Sequence, residues 1–374
     1  MGRRLASLGT FAWSAARGAG FRRPVDLRPR ARWDRGRAAR WGAATGWLLG
    51  SNFTPSTASN QLELWQPDTF DPATIDRELG WAAEVTGMNA IRLFLHDLCF
   101  TVDGDAFLDR VDRVLDLAAG HGIRTLPVLF DGIWDPDPRP GPQRSPRPGI
   151  HNSTWVQGPG AAVIDDPTRW AALRPYVEAV LDRFGADERV VGWDLFNEPD
   201  SWNPAWAHRD PVGKRAKVAA LLEEVWDWAE AVDPDQPLTV GVYEAVTRHP
   251  ERASAVAQLA LERSDVVSFH CYADEAGLTR AINGLAAHGR PLLCTEWLGR
   301  PTSPVALAEA FRDRGVSAFC WGLVDGRTQT RHPWTSWLRP PTSGAPWFHE
   351  LLHADGTPYD PDEAALLRRV SPRR

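Results

Sequence analysis

VVGWDLFNEPD, residues 190–200, opens as an apolar, β-branched run and closes on an amide, a carboxylate and a proline. The run reads as a buried strand. Pro199 ends it, because proline has no N–H to give to a sheet ladder. Asn197 and Glu198 therefore stand at the mouth of the strand. RPLLCTEWLGR, residues 290–300, repeats the pattern with Glu296 near the end of a short apolar strand. Two strands that each deliver a glutamate suggest a pair of carboxylates working on one bond.

Outward from these two, six more runs read as buried strands: 46–53, 88–95, 123–130, 237–243, 265–272 and 316–324. None shows strict polar alternation, as expected of parallel strands covered on both faces. Helical stretches fall between them. Asp71-Pro72, Asp166-Pro167 and Asp210-Pro211 each offer an acidic N-cap followed by proline at the first helical position, where a missing N–H costs nothing. Ser303-Pro304 offers the same before the eighth strand, and residues 104–121, 250–263 and 275–288 also read as helices. Eight strands alternating with helices predict a single (β/α)8 TIM barrel with long βα loops after strands one and three. A doubly wound open sheet is the alternative. It would carry a glycine-rich phosphate turn after its first strand, and SNFTPSTASN (51–60) has none.

In such a barrel, chemistry sits at the C-terminal ends of the strands. Those ends are polar and aromatic throughout: Asn52 on strand one, Arg92, His96 and Asp97 on two, Asp131 and Trp134 on three, Asn197 and Glu198 on four. Strand five supplies Tyr243 and Glu244, six His270 and Tyr272, seven Glu296 and Trp297, eight Trp321 and Asp325. Strands four and seven face each other across an eight-membered ring. Two carboxylates there can act on one glycosidic bond if one is kept protonated and the other ionised. Arg92 beside Glu296 would hold that group ionised, and a dry setting near Trp202 and Trp206 would raise Glu198.

Composition agrees with a sugar ligand. The chain has 374 residues, 43% of them hydrophobic, and 19 tryptophans, far more than packing requires. Broad aromatic rings stack on the C–H faces of sugars. Residues 1–42 hold eleven arginines against Asp26 and Asp34, so the rest of the chain is acidic and does not suit nucleic acid. The basic segment reads as an unstructured tail with a weak apolar patch at 5–16; the cytoplasm is the expected location, with secretion the alternative. The barrel is assigned to 43–352 and a C-terminal extension to 353–374. No run is long enough to span a membrane. Cys99, Cys271, Cys294 and Cys320 share no metal-ligand spacing and read as buried free thiols. No cofactor or metal is implied; His96, Asp97 and Asp131 are the nearest thing to a ligand set. Oligomeric state is not legible.

Taken in order, these motifs resemble the retaining glycoside hydrolases of clan A, and most nearly the family 5 cellulase and mannanase group, over residues 45–350. The resemblance implies Glu198 in NEP (197–199) as acid/base and Asn197 as donor to the sugar 2-hydroxyl. Glu296 in TEW (295–297) is implied as nucleophile, supported by Arg92. His270 and Tyr272 match the His-x-Tyr pair lining the same site, and Trp321 the tryptophan under the −1 sugar. The family's histidine after strand three is missing from LFDGIWD; Asp131, Trp134 or His96 could fill its place. The implied activity is hydrolysis of a β-linked glucan, mannan or xylan fragment with retention. A catalytically silent glycan-binding barrel and a transglycosylase are the alternatives. Loop three, rich in proline and glycine, is either a solvated insertion or a wall across one end of the cleft, which would favour exo-action. Trp334 and Trp337 could add platforms at the rim.

Overall fold

The computed structural model describes residues 32–243 and 253–372; the apolar patch at 5–16, Glu244 and residues 250–252 lie outside them. All eight expected strands form: β1 (Leu49–Asn52), β2 (Ala90–Phe94), β3 (Arg124–Val128), β4 (Trp193–Asp194), β5 (Leu238–Thr239), β6 (Val267–His270), β7 (Leu292–Trp297) and β8 (Ser317–Trp321). They run parallel in the order β5-β4-β3-β2-β1-β8-β7-β6. A parallel bridge between Val242 and Phe269 joins the two ends of that order and makes the sheet a barrel.

The described helices are α1 (Arg35–Thr45), α2 (Gln61–Trp65), α3 (Pro72–Val85), α4 (Asp97–Gly120), α5 (Ala161–Ile164) and α6 (Arg174–Phe184). They continue with α7 (Lys214–Val232), α8 (Ala255–Arg263), α9 (Glu275–Ala286), α10 (Leu307–Asp313) and α11 (Pro361–Val370). Asp71 caps α3 as expected, its side chain accepting from the Thr74 N–H. Three other starts differ. Asp166-Pro167 opens a 3-10 turn that leads into α6. Asp210 is taken by the Lys214 ammonium at 2.9 Å, so α7 starts later, after Gly213. Ser303-Pro304 precedes a turn, and α10 begins at Leu307. The 104–121 helix reaches back to Asp97 across a kink at Asp103 and Gly104.

Both chain-end boundaries move. The described part of the basic tail is ordered: α1 packs beneath the barrel, Asp34 caps it, and Trp41 donates to the Val191 carbonyl at 3.1 Å. Trp41 lies against Leu48, Ala90, Leu126, Val191, Val266, Leu293 and Phe319, the apolar plug at the strands' N-terminal ends. The C-terminal extension contains the eighth barrel helix, α11, which packs against α3 and α10 and closes the ring. All four cysteines are buried and free. No described helix is long and apolar enough to cross a membrane.

Register brings the site together. Asn52 pairs with both Arg92 and Trp321, which sets those three at one level of the barrel. On the far side His270 pairs with Glu296 across a register shift, and such irregularities re-aim side chains at barrel rims. The ordered ladder of β4 is short, but its continuation is held: Asn197 N–H donates to the Phe130 carbonyl at 2.8 Å and Glu198 N–H to that of Gly241 at 2.8 Å.

Candidate active site

Arg92 is the hub. It is fully buried, and a guanidinium in that position must be paired. Its Nε and Nη2 donate to Asp194 Oδ2 at 3.1 and 2.7 Å. Nη1 donates to Asn52 Oδ1 at 2.8 Å and Glu296 Oε1 at 3.0 Å, and Nη2 also reaches Asn197 Oδ1 at 2.7 Å. One cation thus ties strands one, two, four and seven. Asp194, fully buried on β4, was not singled out in the sequence, though a lone acid inside an apolar strand is itself a signal for a buried cation.

Glu296 receives a second donor, the Tyr272 hydroxyl at 2.9 Å from Oε2. Across from it, Glu198 Oε1 lies 2.7 Å from His270 Nδ1, which is also 3.5 Å from Glu296 Oε2. One oxygen of each glutamate and a His270 nitrogen lie within 4.8 Å of one another. Among the described residues this is the convergent His/Glu group, rather than His96, Asp97 and Asp131. Glu198 sits at φ 44°, a left-handed backbone that side chains rarely adopt and that functional sites often hold.

Two glycines make the crowding possible. A Cβ on Gly241 would stand 2.9 Å from His270 Nε2 and 3.1 Å from both Arg92 Nη2 and Asp194 Oδ2. One on Gly132 would meet the Glu198 carbonyl oxygen at 2.9 Å.

Burial pushes both glutamates up to about 7. What offsets burial differs between them. Arg92 and the Tyr272 hydroxyl draw Glu296 down against the Glu198 charge, while Ser201 and Arg92 draw Glu198 down against the Asp131 charge. Two donors bonded directly to Glu296, Arg92 Nη1 and the Tyr272 hydroxyl, favour its charged form, so the proton of the pair is assigned to Glu198. Burial also lowers His270 to about 4, so its ring is neutral near pH 7. The expected dryness around Glu198 is present, and Asp131, Ser201 and His270 are the polar groups that meet it. Trp206, expected beside it, packs its ring on Trp337 at 5.8 Å, and Trp202 is half-buried four residues on.

Asp131 lies beside the glutamates, 2.9 Å from Asn197 Nδ2. Trp321 meets Phe94 and Trp155 edge-on at 5.7 and 5.8 Å. Two expected site residues are elsewhere. Trp297 faces away from the barrel axis and packs on Phe311 of α10 at 5.2 Å. Side chains alternate along a strand, so pointing Glu296 inward sends its neighbour outward. His96 caps α4, its Nδ1 accepting from Leu98 N–H, and its Nε2 is held by the Gln157 carbonyl at 3.0 Å. Neither ring nitrogen is left for a ligand. Trp134 stands in a side wall, stacked on His151 at 5.4 Å.

That wall is made by the loops after β3 and β8. Asn152 N–H donates to the Thr328 carbonyl, His151 N–H to Ser336 Oγ, and Trp337 Nε1 to the His151 carbonyl, at 2.9, 3.0 and 2.7 Å. Residues 151–156 are buried and join the wall, while residues 137–150 of loop three are half-buried or exposed. Trp334 rises at the rim, 40% exposed, its ring edge-on to Tyr272 at 4.9 Å. His349, not noticed in the sequence, is buried 5.2 Å from the His151 ring and 5.6 Å from Tyr272. It lies at a bend in the irregular segment between β8 and α11, where no periodicity marks it.

A parallel eight-stranded barrel with two facing strand-end glutamates is the frame of a β-glycosidase. The family model for cellulase, glycosyl hydrolase family 5, matches residues 50–327, and the chain belongs to that family. Mannan endo-1,4-beta-mannosidase A of Emericella nidulans is 24% identical over 226 residues, 56% of this chain and 53% of that protein; the match spans about half the curated relative. Among solved structures, GH5_18 from Streptomyces cattleya in complex with GlcNAc has a TM-score of 0.60 at 16% identity, covering 88% of this chain and 82% of the other. An exo-beta-1,4-mannosidase from Opitutaceae bacterium strain TAV5 has a TM-score of 0.58 at 18% identity, with 87% and 60% covered. These structural likenesses concern the fold.

Proposed function

We propose that this chain is an exo-acting retaining β-glycosidase that removes the terminal sugar from a short β-1,4-linked oligosaccharide, with mannose the first sugar to test. The separation of the two glutamates, within 4.8 Å at their nearest ligand atoms, carries the retaining reading. Retaining sites place their carboxyls about 5 to 5.5 Å apart, and inverting sites about 6.5 to 9.5 Å, to admit a water. Glu198 gives its proton to the glycosidic oxygen as Glu296 attacks the anomeric carbon, which frees the aglycone and forms a glycosyl ester. Glu198, now ionised, takes a proton from water; that water attacks the anomeric carbon and releases Glu296. Arg92 and Tyr272 hold the attacking carboxylate in its charged form.

The joined loops three and eight support exo-action, since they stand as a wall on the side of Trp321 and Trp155. Asn152 belongs to that wall. It is buried, and neither side-chain polar atom has a partner among the described residues. A buried amide left unbonded is costly, and a terminal sugar hydroxyl would satisfy it. The mannosidase relatives support the choice of sugar.

The test is incubation with mannotetraose labelled at its reducing end, alongside aryl β-mannoside, glucoside and xyloside. Stepwise loss of single sugars, with the first product formed as the β-anomer, is expected. Early release of unlabelled mannobiose or mannotriose would refute exo-action, and an α-anomeric first product would refute retention.

A further inference from the structure

We propose that Asp131 is the positioning residue of this site: its carboxylate fixes the Asn197 amide and sets an anionic group beside Glu198. The inference rests on the reading of Glu198 as acid/base. Asp131 is 2% exposed and receives four N–H donors. Oδ1 accepts from Asn197 Nδ2 at 2.9 Å and from the Ile133 N–H at 3.2 Å. Oδ2 accepts from Trp155 Nε1 at 2.7 Å and Gln61 Nε2 at 3.0 Å. Four donors with no acceptor among them suit an anion and disfavour a protonated acid. Loop one, loop three and the end of β4 meet on this one group.

Its effect on Asn197 follows from geometry. The Asn197 carbonyl oxygen is claimed by Arg92 Nη2 at 2.7 Å and its nitrogen by Asp131. With a cation on one end and an anion on the other, the amide has a single orientation. The second N–H of Nδ2 is then left at a fixed place for a sugar hydroxyl. Its effect on Glu198 is electrostatic. The charged groups around Asp131 are Arg92 and Glu198; the nearby Lys214 ammonium is engaged by the Gly132 carbonyl and Asp210. Two carboxyls in a dry site resist being ionised together. Asp131, with its four donors, takes the charge and leaves the proton to Glu198. Burial raises both groups, and the four N–H donors are what favour the charge on Asp131.

The experiment compares kcat/KM against pH for wild type, Asp131→Asn and Gln61→Ala on an aryl β-glycoside that the wild type turns over. An asparagine must turn its NH2 on one of the two donor pairs, so Asp131→Asn should lose roughly 10- to 100-fold in kcat/KM. Its alkaline limb, which reports loss of the Glu198 proton, should move to lower pH by about one unit, because a neighbouring negative charge is gone. Gln61→Ala should lower Tm and leave that limb in place. A loss of activity with an unmoved alkaline limb would reduce Asp131 to a structural part and overturn the proposal, as would wild-type kcat/KM in Asp131→Asn. If Asp131→Asn does not fold, a carbon-13 carboxyl titration of the wild type decides: Asp131 ionising below Glu198 supports the proposal, and the reverse order overturns it. Absence of turnover by wild type on every β-glycoside would instead strike the acid/base reading beneath it.

Discussion

Glu198 and Glu296 reach one and the same atom: His270 Nδ1 lies 2.7 Å from the first and 3.5 Å from the second. A neutral imidazole between two carboxyls that share one proton couples their titrations. The pH profile of kcat/KM should therefore be a bell centred near neutrality. The acid limb reports protonation of Glu296 and the alkaline limb loss of the Glu198 proton.

Tyr272→Phe should separate these limbs. Removing the hydroxyl that donates to Glu296 at 2.9 Å raises that carboxyl. The acid limb should move to higher pH while the alkaline limb changes less. A hydrogen bond to a charged group contributes about 1.5 to 3 kcal/mol, so kcat/KM should fall roughly 10- to 150-fold. Steady-state kinetics across pH 4 to 9 would show it, and a uniform drop with unmoved limbs would speak against Tyr272 acting through Glu296.

Gly241→Ala tests the crowding behind the site. The added methyl would stand against His270, Arg92 and Asp194 together, none of which can give way without breaking a bond described above. Activity should fall at least tenfold, with a destabilisation of about 1 to 3 kcal/mol from overpacking. Chemical denaturation and kcat on the best aryl glycoside would measure the two effects separately.

Glu198→Gln should be a more stable protein at alkaline pH. The folded-state value of Glu198 is raised, from 4.5 to about 7. A group raised on folding binds protons in the native state that it has lost in the unfolded state, so it subtracts stability as pH climbs from about 4.5 to 7. Glutamine removes that loss. The gain should be on the order of 3 kcal/mol above pH 7 and vanish near pH 4. Thermal melts at the two pH values check it; an equal gain at both would refute the electrostatic cause.

Trp41→Ala addresses the underside of the barrel. It loses the bond to the Val191 carbonyl and the apolar contact with the plug. Stability should drop by about 2 kcal/mol, with kcat/KM of the folded enzyme unchanged because the site lies at the opposite end.

The sequence made the barrel legible because each strand is a short, mostly apolar run, and because much of the chemistry sits where those runs end. It was less informative where partners are remote. Asp210-Pro211 has the letters of a helix start, but Lys214, on the first turn of α7, takes the aspartate. The α1 helix was hidden by its arginines, whose charge reads as a tail until Trp33 and Trp41 find the barrel floor. Trp297 was misplaced although the alternation that points Glu296 inward already excludes it. His96 follows a strand end, yet its nitrogens are spent on a helix cap and on loop three. Gln61 and Trp155 could not have been placed on Asp131, since nothing local records that loops one and three meet there.

The most direct test of the assigned roles is azide rescue of Glu198→Ala and Glu296→Ala on an activated aryl β-glycoside, with the product's anomeric configuration read by NMR. The account predicts that azide restores Glu198→Ala and yields the β-glycosyl azide, through an intact ester on Glu296. It predicts that Glu296→Ala, rescued if at all, yields the α-azide. A β-azide from Glu296→Ala, or an α-azide from Glu198→Ala, would contradict the assignment of acid/base and nucleophile.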